Sequence, residues 1–199
     1  MSQEFWNNRY SEQGFAYGDA PNEYYKQEID KLKPGKLLLP GEGEGRNAVY
    51  AAKKGWVVTA LDFSEAGKEK ALKLAKENNV TINYIITPVE EYVFPENEFD
   101  AIALIFVHFA PVLRKKIHKS LVKALKKGGT VIIEAFSKAQ LNNNSGGPKD
   151  IDSLYSIEDF KNDFNGLTTE KLTEERTELS EGSYHKGSAD VIRFKGVAK

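Results

Sequence analysis

Residues 36–62, KLLLPGEGEGRNAVYAAKKGWVVTALD, constrain the fold of this chain more than any other stretch. The apolar run Leu37-Leu38-Leu39 breaks into a loop with glycine at alternate positions, Gly41, Gly43 and Gly45, and residues 46–54 then carry helical periodicity. A second apolar run, 56–61, ends on Asp62. Strand, glycine loop, helix, strand and terminal acid form the opening unit of a nucleotide-type site, because glycine lets the backbone approach a ligand at the start of the helix.

The rest of the chain repeats that alternation. The pattern predicts a first strand at 36–39, a second at 56–61, a helix from the Ser64 cap to about residue 79, and a third strand at 81–86. Further strands are expected at 100–106 and 130–136, separated by a helix over 112–127 whose Leu113, Ile117, Leu121 and Leu125 recur every four residues. The opposite face of that helix, with Arg114, His118 and its lysines, reads as solvated surface. Residues 141–149, LNNNSGGPK, read as a mobile loop that does not pack and is a second candidate, beside the N-terminal arm, for closing the pocket, and Ser156 with Asp159 reads as the capping box of a helix to about residue 165. Two β-like runs in 167–199, divided by a turn at 182–187, predict a hairpin with its glutamates, Glu181 among them, on the solvent side. The fold class is therefore α/β: a single, Rossmann-like, doubly wound sheet, mostly parallel, with a C-terminal antiparallel hairpin.

A length of 199 residues with 40% apolar content suits one core, and the expectation is a single domain over 1–199. Residues 1–33 read as an irregular, ring-rich arm and a short helix at 22–32 that cover the site, with Trp6 and Tyr17 among the rings. Lysine plus arginine, 28, nearly balance aspartate plus glutamate, 29, so no overall field recruits nucleic acid or an anionic membrane. No cysteine is present, which excludes a disulfide framework and a thiolate nucleophile, and the three histidines are too dispersed for a metal site. The first residues lack a secretion-signal pattern, and no apolar run reaches the roughly 18 residues that span a bilayer. The expected setting is cytoplasmic, as a monomer or weak homodimer.

Strand ends bring the glycine loop, Asp62, residues 87–91 and residues 106–110 to one cleft, where such sheets bind ligands. Charge then separates the candidate ligands. A pyrophosphate over this loop would meet Glu42 and Glu44, and at about 5 Å and an effective dielectric of 20 each like-charge pair costs roughly 3 kcal/mol before screening. A cationic, phosphate-free cofactor, S-adenosylmethionine, fits better, with a ribose for Asp62 and a carboxylate for Arg46 or the helix amino terminus. The spacing agrees, since the loop follows GxGxG and not the GxGxxG of dinucleotide folds.

Three stretches then make the likeness specific: WNNRYSEQGFAYGDAPNEYY, GEGEGRNAVYAAKKGW and EGSYHKGSADVIRFKG. The sequence resembles the class I S-adenosylmethionine-dependent methyltransferases, within them the tellurite-resistance and thiopurine methyltransferase-like group, over nearly its whole length. The resemblance implies that Gly41, Glu42 and Gly43 line the methionine part, Asp62 holds the ribose and Phe63 packs on the adenine. It places Val89 and Glu90 at the adenine edge, Ile105 and Phe106 beneath the cofactor, and Trp6 and Tyr17 in the cover. The chain departs from many class I enzymes at Leu39, where they carry an acid, and Glu42 is the candidate to take over that role.

The implied reaction moves a methyl group to a small S, Te, Se, O or N acceptor and leaves S-adenosylhomocysteine. His108 is the candidate base and His185 the candidate acceptor contact. The alternatives are a non-catalytic S-adenosylmethionine-binding module, a nucleic-acid methyltransferase using the basic helix face, and, more distantly, a nicotinamide dehydrogenase.

Overall fold

The computed structural model describes residues 2–199. Seven strands form one sheet in the order β3-β2-β1-β4-β5-β7-β6. The strands are β1 (Lys36–Pro40), β2 (Val57–Asp62), β3 (Asn83–Ile86), β4 (Phe99–Ile105), β5 (Leu125–Phe136), β6 (Leu167–Glu181) and β7 (His185–Ala198). β1 to β5 run parallel, while β7 pairs antiparallel with both β5 and β6. The order reverses between β1 and β4, and the strand ends there open onto the functional cleft.

Period-two alternation sends neighbouring leucines of β1 to opposite faces. Leu37 and Leu39 join the core that contains Tyr24, Tyr25 and Ile29 of α2 (Glu23–Ile29), Ala48 and Val49 of α3 (Arg46–Lys53), and Leu74 of α4 (Glu65–Glu77). Leu38 joins the other core, with Ile117 and Leu121 of α5 (Pro111–Ala124) and Phe160 of α6 (Ile157–Asp163). With helices on both sides, β1 needs apolar residues on both of its faces, which is why the run is continuous.

Several sequence expectations change. The first segment is only partly irregular: residues 11–22 form no helix or strand, but α1 (Gln3–Tyr10) precedes them, capped by the Ser2 hydroxyl, which accepts from the Phe5 amide at 3.2 Å. Its anchors are long-range, since Gln3 donates to the Phe63 carbonyl at 2.6 Å and Asn7 accepts from the Ser64 hydroxyl at 2.7 Å, both just after β2. α5 ends at Ala124, and β5 begins directly, with a register shift opposite Phe99. His118 and Arg114 are buried, not solvated, because α6 packs over that side of α5. Arg114 pairs with Asp159 at 2.8 Å and Asp163 at 2.7 Å, and His118 meets Asp163 at 2.9 Å.

The LNNNSGGPK stretch also packs. It starts within a 3-10 turn, Lys138–Asn142, and a second such turn follows at Ile151–Ser153. Ser145 is buried and donates to the Ser188 carbonyl at 2.6 Å, while Asn143 donates to Asp190 at 2.7 Å. Polar side chains replace apolar ones as the packing contacts, and composition alone hides that.

Candidate functional site

A cavity of about 790 Å³ opens at the carboxyl ends of the parallel strands, beneath α1. Its floor begins where β1 ends. The Gly41 and Glu42 amides both donate to the Leu61 carbonyl, at 2.7 and 3.0 Å, which folds the glycine loop back over β2. Gly41 has a φ of +69°, and a β-carbon there would lie 2.8 Å from a Val107 methyl, so the loop presents bare backbone.

The two loop glutamates are occupied within the protein. Glu42 accepts from the Ala48 amide at 2.7 Å, at the start of α3. Burial pushes its carboxyl up to about 7, against the pull of that amide and of Arg46. Glu44 accepts from the Ala16 amide at 2.8 Å and pairs with Lys70 at 2.8 Å. The bare carboxylate pair expected from sequence is thus largely answered by two backbone amides and a lysine. Gly43 does not line the cavity: Tyr10 presses on it, and its carbonyl accepts from the Tyr84 hydroxyl at 2.6 Å.

Asp62, at the end of β2, reaches the cavity wall. One oxygen accepts from Ser64 N at 2.8 Å and the other from Gly43 N at 3.0 Å, which fixes the carboxylate and leaves it acceptor capacity for a ligand hydroxyl. Burial raises this carboxyl to about 6, although three backbone amides oppose the shift. Phe63 and Val89 add apolar wall, with Glu90 exposed at the rim and Ile105 below. Phe106 takes a left-handed φ of +57°, a strained position for a phenylalanine, and its ring stacks on Phe136 at 4.5 Å.

His108 lines the cavity but has no nitrogen to spare. Its Nδ1 donates to the Ser153 carbonyl at 2.8 Å, and its Nε2 accepts from the Phe136 amide at 3.2 Å. Desolvation pushes it down to about 4. The expected base is therefore a residue that ties β4, β5 and the 3-10 turn together, since its accepting lone pair is already spent.

His185 sits at the hairpin end among Tyr17, 4.4 Å away, Phe106, 4.6 Å, and Phe136, 5.3 Å between ring centroids. Its Nδ1 meets Glu181 at 3.3 Å, which leaves its Nε2 with no bond to that acid, and the residue lines the cavity. Glu181, expected on the solvent side, is instead the hub of this corner. It also accepts from Arg46 at 2.9 Å and from Asn22 at 2.8 Å. Burial pushes its carboxyl up, but the His185 hydrogen bond and the Arg46 charge prevail and hold it at about 2. The alternation of β6 predicts solvent for this glutamate; only the return of α2 and α3 to the hairpin places it inside.

Trp6 stacks on Tyr10 at 5.3 Å and stands 6.3 Å from Tyr17, and all three rings line the cavity. Sequence reasoning missed Arg9 in the same wall and Phe136 at the end of β5, whereas Gly147 to Lys149 on the far rim belong to the 141–149 loop expected to help close the pocket. Phe136 carried a usable signal, since it ends a predicted parallel strand. Arg9 carried none beyond its place among the rings. Among the described residues no cluster of ligating side chains suits a metal ion, and no helix is long and apolar enough to cross a membrane.

A parallel sheet with a strand-order reversal, a GxGxG turn at β1 and an acid at the end of β2 define the class I methyltransferase fold. Residues 38–129, just under half of the chain, match the family model described as a methyltransferase domain. The ubiquinone biosynthesis O-methyltransferase of Rickettsia akari is 33% identical over 119 residues, 59% of this chain and 45% of that protein. The chain thus matches just under half the length of that relative. Among solved structures, TehB from Haemophilus influenzae has a TM-score of 0.74 at 16% identity, over 99% of this chain and 67% of that one. A structure described as "Conversion of a Disulfide Bond into a Thioacetal Group during Echinomycin Biosynthesis" reaches 0.76 at 18% identity, over 99% and 92% of the two chains. At these identities the likeness is one of fold, and it includes α1 and the terminal hairpin.

Proposed function

We propose that the chain, as one domain, transfers the methyl group of S-adenosylmethionine to a small molecule with a soft or heteroatom nucleophile, S, Te, Se, O or N. The observation that carries this reading is the single cavity that joins the glycine loop and Asp62 to an aromatic end formed by Phe106, Phe136 and His185, under the roof of α1. The residues fit the cofactor: bare backbone at Gly41, a fixed carboxylate acceptor at Asp62, and an apolar slot at Phe63 and Val89. In this assignment Asp62 accepts from the ribose hydroxyls, Phe63, Val89 and Glu90 hold the adenine, and Gly41, with Gly43 behind it, shapes the methionine end. Ile105 and Phe106 support the cofactor from β4.

The bound cofactor supplies a methyl group on a sulfonium, which leaves as the thioether of S-adenosylhomocysteine. The protein's task is then alignment and exclusion of water, and positioning of this kind can contribute on the order of 7–11 kcal/mol without a protein nucleophile. In this reading His185, which lines the cavity, offers its Nε2 to the acceptor, with Glu181 orienting the ring through Nδ1. The relatives' printed names, an O-methyltransferase and a sulfur conversion, support a small acceptor in this range. The cavity is built from one chain, so the reading requires no second copy, and the cysteine-free sequence suits a cytoplasmic setting. The nucleic-acid alternative loses Arg114 as a phosphate contact, because two aspartates hold it.

Calorimetry with S-adenosylhomocysteine, followed by a screen of pooled thiols, chalcogen oxyanions and phenols for S-adenosylhomocysteine release, tests the proposal. Binding with acceptor-dependent release is expected. No cofactor binding sinks the reading, and binding without release under any acceptor favours the non-catalytic module.

A further inference from the structure

Two arginines stand in the cavity wall beside the glycine loop, and they differ in one respect. Arg46 has its charge balanced inside the protein by Glu181 at 2.9 Å. Arg9, on the last turn of α1, has no carboxylate within 4.0 Å among the described residues. Glu12, three residues on, accepts the Tyr184 hydroxyl at 2.6 Å instead. The third cation on the wall, Lys149, lies on the far rim, exposed, and donates to the Asn143 carbonyl.

Arg9 is nonetheless held in place. Its guanidinium carbon lies 4.0 Å from the Tyr184 ring centroid, 4.5 Å from that of Phe5 and 5.5 Å from that of Trp6. One Nη donates to the Tyr17 hydroxyl at 2.9 Å, and the Tyr17 carbonyl accepts from Arg46 at 3.0 Å, so the two guanidinium groups bracket one residue. The neighbouring Tyr10 presses on Gly43. Arg9 is thus a half-buried, ring-caged cation at the glycine-loop end of the cavity, with N–H donors left over. A guanidinium fixed in this way is shaped for a carboxylate, which takes two parallel hydrogen bonds from it.

We propose that Arg9 receives the α-carboxylate of the methionine part of S-adenosylmethionine. This rests on the methyltransferase reading and revises the expectation for Arg46, which becomes a strut from α3 to the end of β6. It also makes α1 a charge partner of the cofactor as well as a cover: ligands that carry the amino-acid group draw the roof down, and ligands that lack it do not.

The test compares two ligands that share the adenosine and the thioether, S-adenosylhomocysteine and 5′-methylthioadenosine, of which only the first has the carboxylate. Calorimetry on the full chain should show Arg9→Gln weakening S-adenosylhomocysteine by about tenfold or more, the scale of one charge-assisted pair, with 5′-methylthioadenosine changed by less than about twofold. Arg9→Lys should recover part of the loss. Because both ligands need the adenosine pocket, general loosening of α1 would weaken both alike, and that result overturns the assignment. So does a selective loss in Arg46→Gln with none in Arg9→Gln. Wild-type protein that binds neither ligand overturns the methyltransferase reading together with this one, whereas a failure confined to Arg9→Gln overturns this one alone.

Discussion

Asp62 illustrates how a residue's type can be legible and its environment hidden. Its position after the second strand marks it as a ribose acceptor, but the two amides on its oxygens and the burial that raises it to about 6 come from the folded glycine loop and α4. Asp62→Ala is expected to weaken S-adenosylhomocysteine by about tenfold or more, because it removes both acceptor oxygens. Calorimetry checks this, and unchanged affinity rejects the ribose role. His108 and His185 show the opposite case. Both were visible as histidines near strand ends, yet which has a nitrogen to offer depends on Ser153, Phe136 and Glu181, residues 28 to 45 positions from His108 and four from His185.

At the scale of elements, the strands and most helices followed from periodicity, because each buries an apolar stripe. α1 did not, since Phe5, Trp6 and Tyr10 make no regular stripe and serve the cavity and Gly43 instead. Close approach of elements is decided at single glycines. Gly45, with a φ of +87°, lets α3 start against α4, and a β-carbon there would lie 2.5 Å from the Ala71 β-carbon and 2.8 Å from its α-carbon. Gly128, with a φ of +76°, has nothing within 4 Å. Gly45→Ala should therefore cost about 2 kcal/mol or more, through both backbone and contact, and Gly128→Ala only about 1 kcal/mol through backbone alone. Denaturant unfolding measures both, and equal losses would contradict the packing argument.

For the whole molecule, the cavity's buried acids tie stability to pH. Glu42 titrates near 7 when folded, pushed up by burial, and near about 4.3 when unfolded. Between those values the folded state holds a proton that the unfolded chain has released, so stability falls as pH rises and then levels. Asp62, raised by burial to about 6, acts in the same direction over a narrower range. Glu181, held at about 2, has the opposite sign: its contribution is present above about pH 4.3 and is lost toward pH 2. Glu42→Gln keeps an acceptor for the Ala48 amide and removes one titration. Relative to this variant, the cofactor-free wild type should lose on the order of 2 kcal/mol between pH 5 and pH 8. Thermal unfolding across that range gives the comparison, and parallel curves for the two proteins would refute it.

The sequence by itself determined the sheet, the glycine turn, the acid after β2 and the cofactor class, because these depend on spacing and residue type within about 30 neighbouring positions. Tertiary structure decided which charges remain available. Glu42 turned to a helix start, Glu44 to Lys70, Arg46 to Glu181 and Arg114 to two aspartates, each through contacts between separate elements. A charge is spent or free according to what folds against it, and Arg9 is the cation in the roof that this folding left without an acid.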